Sequence, residues 1–204
     1  DCGYAAASGA SAGPIEEGNA GAGAGATIGK MMGMDRAMKG GLGTAAISLP
    51  DGLVVAALVA VNAFGDVIDP ATGRVVAGVR TEDGTALADA RALLRSGAAQ
   101  KKPLGENSTI GIVATNAKLT KTQAAKVAQM AHDGLARSIT PVHSLADGDT
   151  LFALATGVHA GEADVSRIGA LAAEAVADAV LRAVRAAKGL PGFPAARDLP
   201  APAR

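Results

Sequence analysis

A serine of this chain stands where a polar segment meets an apolar, strand-like run. Asn107-Ser108-Thr109 leads directly into the apolar run that begins at Ile110. If the Asn107–Ser108 bond were cut, Ser108 would carry a nucleophilic Oγ and, on the same residue, an α-amine able to take its proton. An α-amine with a pKa of about 8 suits that task at neutral pH. The same Oγ could make the cut by attacking the preceding carbonyl. On local sequence alone, an ordinary loop-to-strand junction is the simpler interpretation.

Two other patterns contain residue types that can do chemistry. The Gly/Ala-rich stretch from Gly21 to Lys30 contains glycine spacings seen in nucleotide-binding loops, but no convincing strand precedes it. Close backbone packing, or a loop that lines an oxyanion, is the favoured interpretation. The three histidines, His132, His143 and His159, lack metal-ligand spacing. We expect structural or surface roles for them; a Ser-His-Asp arrangement stays open, although no Gly-x-Ser-x-Gly elbow is present.

Charge and composition argue against two classes of protein, nucleic-acid binders and disordered chains. The 204 residues contain 19 Lys and Arg against 19 Asp and Glu, so the formal net charge is zero. No basic run of the kind that binds nucleic acid is present, and no nucleic-acid partner is expected. Apolar residues make up 49% of the chain and aromatic residues only 2%. This composition argues against disorder and predicts a core of small aliphatic side chains.

The cysteine content and the apolar runs indicate in which cellular compartment the protein is expected. Cys2 is the single cysteine, so no internal disulfide or thiolate metal site is expected. The longest apolar run, Leu53 to Val61, is far shorter than the roughly 20 residues that span a bilayer. The first residues do not show the pattern of a signal peptide. We therefore expect a cytoplasmic protein without a membrane segment.

The order of predicted elements gives the fold class. Predicted strands cover 44–49, 53–64, 74–79, 110–115 and 151–156, and predicted helices cover 85–97, 120–137 and a long segment that contains 168–183 and ends at Gly189. Pro50-Asp51-Gly52 predicts a hairpin between the first two strands, and the third strand is expected in the same sheet. Residues 100–107 are predicted to be an exposed loop, and the tail from Pro194 to be loosely ordered. An α/β fold of layers with largely antiparallel pairing follows.

Four stretches together resemble a known family. They are 40–45 (GGLGTA), 59–66 (VAVNAFGD), 106–117 (ENSTIGIVATNA) and 147–150 (DGDT). In this order they are similar to the self-processing aminopeptidases, a family that includes L-aminopeptidase/D-esterases, β-aminopeptidases and nylon-oligomer hydrolases. The resemblance covers nearly the whole chain. It implies a four-layer αββα sandwich like that of N-terminal-nucleophile hydrolases.

The resemblance also implies roles for individual residues. Cleavage would fall between Asn107 and Ser108, dividing a single catalytic domain into residues 1–107 and 108–204. Ser108 matches the nucleophile. The remaining matches are Asn62 to the asparagine on the oxyanion side, Lys30 to a lysine near the nucleophile in the nylon-oligomer branch, and Asp147 and Asp149 to positions that orient the nucleophile and its amine. The family's polypeptides extend upstream of the match to Asp1 and supply an active-site tyrosine that Tyr4 does not match.

The resulting hypothesis is a serine aminopeptidase or amidase that cuts itself and then hydrolyses amide or ester bonds near a free amino terminus. It needs no metal or organic cofactor, and its partners are small peptide, amide or ester substrates. The resemblance implies a homo-oligomer, either a dimer or a tetramer. Three alternatives stay open: an endo-acting hydrolase of nylon-type oligomers, an acyltransferase like ornithine acetyltransferase, and an inactive scaffold subunit.

Overall fold

The computed structural model describes residues 1–98, 107–145 and 147–199. The strands in these ranges are β1 (Thr27–Ile28), β2 (Met38–Lys39), β3 (Gly41–Ser48), β4 (Val54–Val61), β5 (Asp66–Ile68), β6 (Val75–Ala77), β7 (Ile110–Thr115), β8 (Ile139–Thr140) and β9 (Thr150–Ala155). The helices are α1 (Cys2–Ser8), α2 (Ala90–Ser96), α3 (Lys121–Ser138) and α4 (Val165–Ala186). Short 3₁₀ turns lie at Gly21–Gly23, Lys30–Met32, Met34–Arg36 and Ala196–Asp198. The loop predicted over residues 100–107 lies outside the described residues except for Asn107.

The main sheet has the strand order β3-β4-β7-β9. The predicted hairpin is confirmed: β3 and β4 pair antiparallel around the turn at Asp51 and Gly52, where Gly52 adopts a left-handed φ of 82°. β4 pairs antiparallel with β7, and β7 pairs parallel with β9. The parallel register sets Ile110 beside Thr150, so the segments that precede β7 and β9 lie next to each other. These two segments carry Ser108 and Asp149.

Helices α3 and α4 pack against one face of this sheet. Alternate β4 side chains, among them Val55 and Val59, are fully buried on that face because side chains of a strand alternate between its two sides. Gly43 permits the closest approach, since a Cβ there would collide with the main-chain oxygen of Ala179 on α4. On the other face, Ile110 and Phe152 are 46% and 62% exposed. That open face borders the cleft beside Ser108.

Two expectations about the strands and helices were wrong. β6 does not join the main sheet; it lies in a second sheet of order β6-β5-β8, next to β5, because the turn that follows β5 folds the chain back on itself. α2 begins at Ala90 rather than near residue 85, because the Asp83 side chain accepts from Thr85 N and closes a turn there, and the N-cap comes only at Asp89.

The described part of the carboxyl-terminal tail is packed, not loose. Ala195 is fully buried, and Lys39 N donates to Pro194 O at 2.9 Å. Residues 200–204 lie outside the described ranges. The predicted N-terminus of α3 is confirmed, with a capping box between Thr120 and Gln123.

The expected class, an α/β fold with largely antiparallel sheets, is confirmed by this arrangement. The described residues form a helix layer on the main sheet and a small second sheet. Among the described helices, none combines the length and apolar character needed to cross a membrane.

Candidate active site

Ser108 lies immediately before β7, between two buried neighbours. Asn107 is 5% exposed and Thr109 is fully buried, and Thr150 N donates to Thr109 O at 3.0 Å, which extends the β7–β9 ladder to this point. Ser108 opens onto a cleft of about 220 Å³, which it shares with Asn62 and with Ala22, Gly25, Ala26, Ala60 and Ile110. Part of the Gly/Ala-rich stretch therefore lines this cleft.

Asn62 follows the last residue of β4 and is held by its oxygen. Its Oδ1 accepts from Lys30 Nζ at 2.7 Å and from Thr27 N at 3.1 Å. Because these donors fix the oxygen end of the amide, the direction of its NH₂ end is fixed as well. The ammonium group on Oδ1 also polarises the amide and strengthens that donor.

Lys30 is positioned by the backbone around it. It is 5% exposed and begins a 3₁₀ turn after Gly29, whose φ of 67° is left-handed. Gly29 N donates to Gly65 O at 3.0 Å, and Lys30 N donates to Phe64 O at 2.9 Å. The segment that carries Lys30 is thereby fixed to the segment that follows Asn62.

Lys39 is a second buried lysine, which holds the wall of the cleft. It is 1% exposed, and its Nζ donates to the carbonyl oxygens of Gly23 and Ala26 at 2.8 and 2.7 Å. Burial lowers the pKa of this ammonium group. Lys39 ties down the turn that includes Ala22, Gly25 and Ala26.

Asp147 joins the loop before β9 to the chain near Asn62. Its Oδ1 accepts from Phe64 N at 3.2 Å, and its Oδ2 accepts from Ser144 N at 3.1 Å and from Ser144 Oγ at 2.6 Å. Asp147 also forms a parallel β-bridge with Asn107. Through its carboxylate and its main chain together, Asp147 connects the segment after Asn62 to Asn107.

Asp149 is bound directly to the residue that follows Ser108. Its Oδ1 accepts from Thr109 N at 2.9 Å, and its Oδ2 lies 3.0 Å from His143 Nδ1. The Asp149 side chain is only 2% exposed. A carboxylate at this point fixes the main chain between Ser108 and the start of β7 at Ile110.

Gly148 lies between the two aspartates and touches Ser108. A Cβ at Gly148 would stand 2.6 Å from Ser108 Oγ, so only a glycine leaves the hydroxyl in its place. Gly148 N donates to the carbonyl oxygen of Asn107 at 2.6 Å. This is the carbonyl of the Asn107–Ser108 peptide bond.

The structure thus brings all six of the sequence-selected residues to one region. Lys30 and Asn62 form one side, Asp147 and Asp149 form the other, and Asn107 and Ser108 lie between them. Within the described ranges, no group of three or more His, Cys, Asp and Glu residues is arranged to hold a metal ion.

Sequence reasoning missed the histidines of this region. His143 contacts Asp149, and His132 Nδ1 on α3 lies 3.3 Å from His143 Nε2. Burial, and after it the charge of His143, hold the pKa of His132 below its ordinary value. The spacing of eleven residues from His132 to His143 and of six from His143 to Asp149 matches no motif. The contact between the two histidines depends on how α3 packs beside the loop before β9.

Comparison with known families settles the chain's relationship. The model of the family described as "Peptidase family S58" matches residues 2–197. The chain belongs to peptidase family S58. Among S58 relatives, an uncharacterized aminopeptidase of Mycobacterium leprae is 39% identical over 205 residues, covering 94% of this chain and 55% of the relative. A 6-aminohexanoate-oligomer endohydrolase of a Kocuria species is 32% identical over 186 residues, covering 85% and 52%.

Solved structures place the S58 chain in the same fold group. A Burkholderia β-aminopeptidase superposes with a TM-score of 0.61 at 28% identity, covering 90% of this chain and 50% of that one. The L-aminopeptidase D-Ala-esterase/amidase of Ochrobactrum anthropi, described as a variant of the Ntn hydrolase fold, superposes with a TM-score of 0.57 at 23% identity, covering 90% and 49%. The expected resemblance to N-terminal-nucleophile hydrolases is confirmed. The chain spans about half the length of the curated relatives that it matches.

Proposed function

We propose that the chain is the Ser108-bearing part of a hydrolase that cleaves its own Asn107–Ser108 bond and then uses Ser108 as an amino-terminal nucleophile. Its substrates would be amides or esters next to a free amino terminus. The observation that carries the proposal is the hydrogen bond from Gly148 N to the Asn107 carbonyl, with Ser108 Oγ directly beside Gly148. A donor on that carbonyl is what attack by the hydroxyl requires.

Self-cleavage in this geometry is an acyl shift followed by hydrolysis. Ser108 Oγ bonds to the carbonyl carbon of Asn107, and the negative oxygen that forms is held by Gly148 N–H. The carbon–nitrogen bond then breaks, the Ser108 nitrogen takes up the proton that Oγ lost, and an ester remains. Water hydrolyses the ester to a carboxylate on Asn107 and a free hydroxyl and amine on Ser108.

Turnover would use the same cleft and the same Ser108 Oγ, with the carbonyl oxygen of the substrate placed at Asn62. The α-amine of Ser108 takes the Oγ proton as Oγ attacks, and later passes it to the leaving amine. The Asn62 amide, polarised by Lys30, donates to the oxyanion. Asp147, through its main-chain bridge to Asn107, and Asp149, through its bond from Thr109 N, hold the residues on either side of the nucleophile.

A second candidate is endo-hydrolysis of 6-aminohexanoate oligomers, favoured by the 32% identity to the Kocuria endohydrolase. The two functions differ in whether the substrate needs a free amino group next to the scissile bond. An L-alanyl anilide, its N-acetylated form and a linear 6-aminohexanoate oligomer separate them. Hydrolysis of the free anilide alone supports the proposal, internal cleavage of the oligomer supports the alternative, and no hydrolysis of any of the three contradicts both.

The variant Asn62→Ala tests the assignment of the oxyanion donors. We expect kcat on the anilide to fall by about 100-fold to 1,000-fold, the usual effect of removing one such donor. Self-cleavage should be affected much less, because the Asn107 carbonyl is bonded to Gly148 N. Equal losses in both reactions would contradict separate donors.

A further inference from the structure

Two imidazole groups, His143 and His132, form a short row that begins at Asp149, and the proposed reaction does not use them. His143 Nδ1 lies 3.0 Å from Asp149 Oδ2, and His143 Nε2 lies 3.3 Å from His132 Nδ1. The two rings are tilted by 58° with their centroids 4.9 Å apart. The row therefore runs from α3 to the carboxylate that binds Thr109 N, one residue from Ser108.

The backbone of His143 is held in an unusual conformation. Its φ of 52° lies in the left-handed region, which costs free energy for residues other than glycine and, to a lesser extent, asparagine. Both its main-chain N, at 3.4 Å, and its Nδ1 approach the same Asp149 oxygen. The contacts with Asp149 offset that cost, so the ring and the carboxylate hold each other in place.

The hydrogen-bond chemistry fixes which nitrogen of His143 carries hydrogen. An ionised Asp149 only accepts, and its Oδ1 is already bonded to Thr109 N, so Nδ1 of His143 must be the donor to Oδ2. His143 Nε2 and His132 Nδ1 then share one hydrogen between them. His132 thus supports the ring from behind, as outer partners of active-site imidazoles do.

We propose that His143, backed by His132, is a positioning residue for the nucleophile: it fixes the Asp149 carboxylate, which fixes Thr109 N and with it the main chain of Ser108. The inference rests on the proposed function, since it assigns a role in the Ser108 reaction. It concerns orientation only, because His143 reaches Ser108 through Asp149. Loss of the imidazole is expected to slow the reaction without weakening substrate binding.

Substitutions at position 143 separate the side chain from the backbone. His143→Gly removes the donor but suits the left-handed φ, whereas His143→Asn keeps an N–H near the place of Nδ1 and also tolerates that φ. We expect self-cleavage and kcat to fall by about tenfold in His143→Gly with KM unchanged, and to stay within about threefold of wild type in His143→Asn. His132→Leu should lie between them.

The third histidine provides the matched control. His159 N donates to Asn116 O just after the end of β7, at the opposite end of the strand from Ser108, and His159→Asn should leave both rates unchanged. Circular dichroism and melting temperature check that every variant is folded. A His143→Gly protein as fast as wild type would overturn the inference. A folded His143→Asn protein no faster than His143→Gly would also overturn it, because the donor to Asp149 would then contribute nothing.

A spectroscopic measurement distinguishes failure of this inference from failure of the proposed function. With three histidines in the chain, ¹⁵N-histidine labelling should show an Nδ1–H signal from His143 that is lost in both His143→Gly and Asp149→Asn. An active wild type without that signal would overturn the positioning role alone. A wild type that neither cleaves itself nor hydrolyses any substrate would overturn the proposed function and this inference with it.

Discussion

Asp66 and Asp149 are both buried aspartates that accept hydrogen bonds from main-chain N–H groups, but their other partners differ. Asp66 on β5 is fully buried, and its two oxygens accept from Val79 N and Ala90 N, each at 2.7 Å. Asp149 accepts from Thr109 N with one oxygen and contacts the titratable side chain of His143 with the other.

This difference separates structural from functional use of the same residue type. The partners of Asp66 are all backbone groups, so its carboxylate anchors the segment at Val79 and the N-terminus of α2. Asp149 binds the main-chain N–H of Thr109 and also the side chain of His143, and Asp147 accepts from the Ser144 hydroxyl. We therefore expect substitutions around Asp66 to change stability, and substitutions around Asp147 and Asp149 to change activity.

The largest effect is expected for Asp149→Asn. Removing the negative charge weakens the link from His143 to Thr109 N, and we expect self-cleavage to slow by about 100-fold or more, the scale of a lost preorganised electrostatic group. The measurement is the rate at which the cut pieces appear on a denaturing gel. Asp178→Asn, at an exposed position on α4, is the control. An Asp149→Asn protein that cleaves at the wild-type rate would remove the distinction between the two regions.

Asp66 is expected to control stability through pH. Burial raises its pKa from 3.8 to about 6, and the two backbone hydrogen bonds only partly oppose that rise. Between these values the folded protein keeps the proton while the unfolded chain releases it. The free energy of unfolding therefore falls as pH rises through this range, by about 3 kcal/mol for this group, and the loss is complete above it.

Urea unfolding at several pH values, for wild type and Asp66→Asn, isolates this effect. The unfolding free energy of wild type minus that of Asp66→Asn should fall by about 3 kcal/mol from about pH 3 to about pH 8. Curves that stay parallel over this range would show that Asp66 does not titrate in the folded state as its surroundings indicate.

A smaller effect is expected for Gly148→Ala, which keeps the main-chain N–H. The added Cβ would stand 2.6 Å from Ser108 Oγ, so the hydroxyl must rotate away, and we expect self-cleavage to slow by about tenfold with the melting temperature unchanged. Gly25→Ala in the wall of the same cleft is the control, because a Cβ there meets nothing within 4 Å. Equal rates for both variants would contradict the placement of Ser108 Oγ.

The smallest effect concerns a carboxylate at the surface. Glu17 pairs with Arg182 at 2.8 Å, and this hydrogen bond, partly opposed by burial, lowers the pKa of Glu17. Its stabilisation is present above the ordinary pKa of a glutamate and is lost as pH falls through the lowered value. A double-mutant cycle with Glu17→Gln and Arg182→Gln should give a coupling below about 1 kcal/mol, since Arg182 is 57% exposed.

Much of the fold follows from local sequence. The hairpin around Gly52, the capping box at Thr120 and the order β7, α3, β9, α4 follow from turn chemistry and apolar periodicity. The second sheet was not predicted, because its strands are two or three residues long and are set by contacts distant in sequence. The start of α2 was misplaced because the side-chain hydrogen bonds of Asp83 outweigh helix periodicity there.

The candidate site residues could be selected from short motifs. The residues that position them could not. Asn62, Ser108 and the Asp147–Asp149 pair stand in stretches that resemble the family, so their types and positions were readable. The contact of His132 with His143 depends on packing between α3 and a loop, for which the sequence carries no periodic signal. The role of Gly148 follows from a main-chain N–H and a forbidden Cβ, neither of which a residue name reveals.

The most direct test of the central claim is the intact mass of the purified protein under denaturing conditions, beside Ser108→Ala and the control Ser166→Ala, an exposed position on α4. We expect two pieces for wild type and for Ser166→Ala, the second piece beginning at Ser108, and a single uncut chain for Ser108→Ala. A single uncut chain in all three proteins, or a cut that persists in Ser108→Ala, would show that Ser108 is not a self-processing nucleophile.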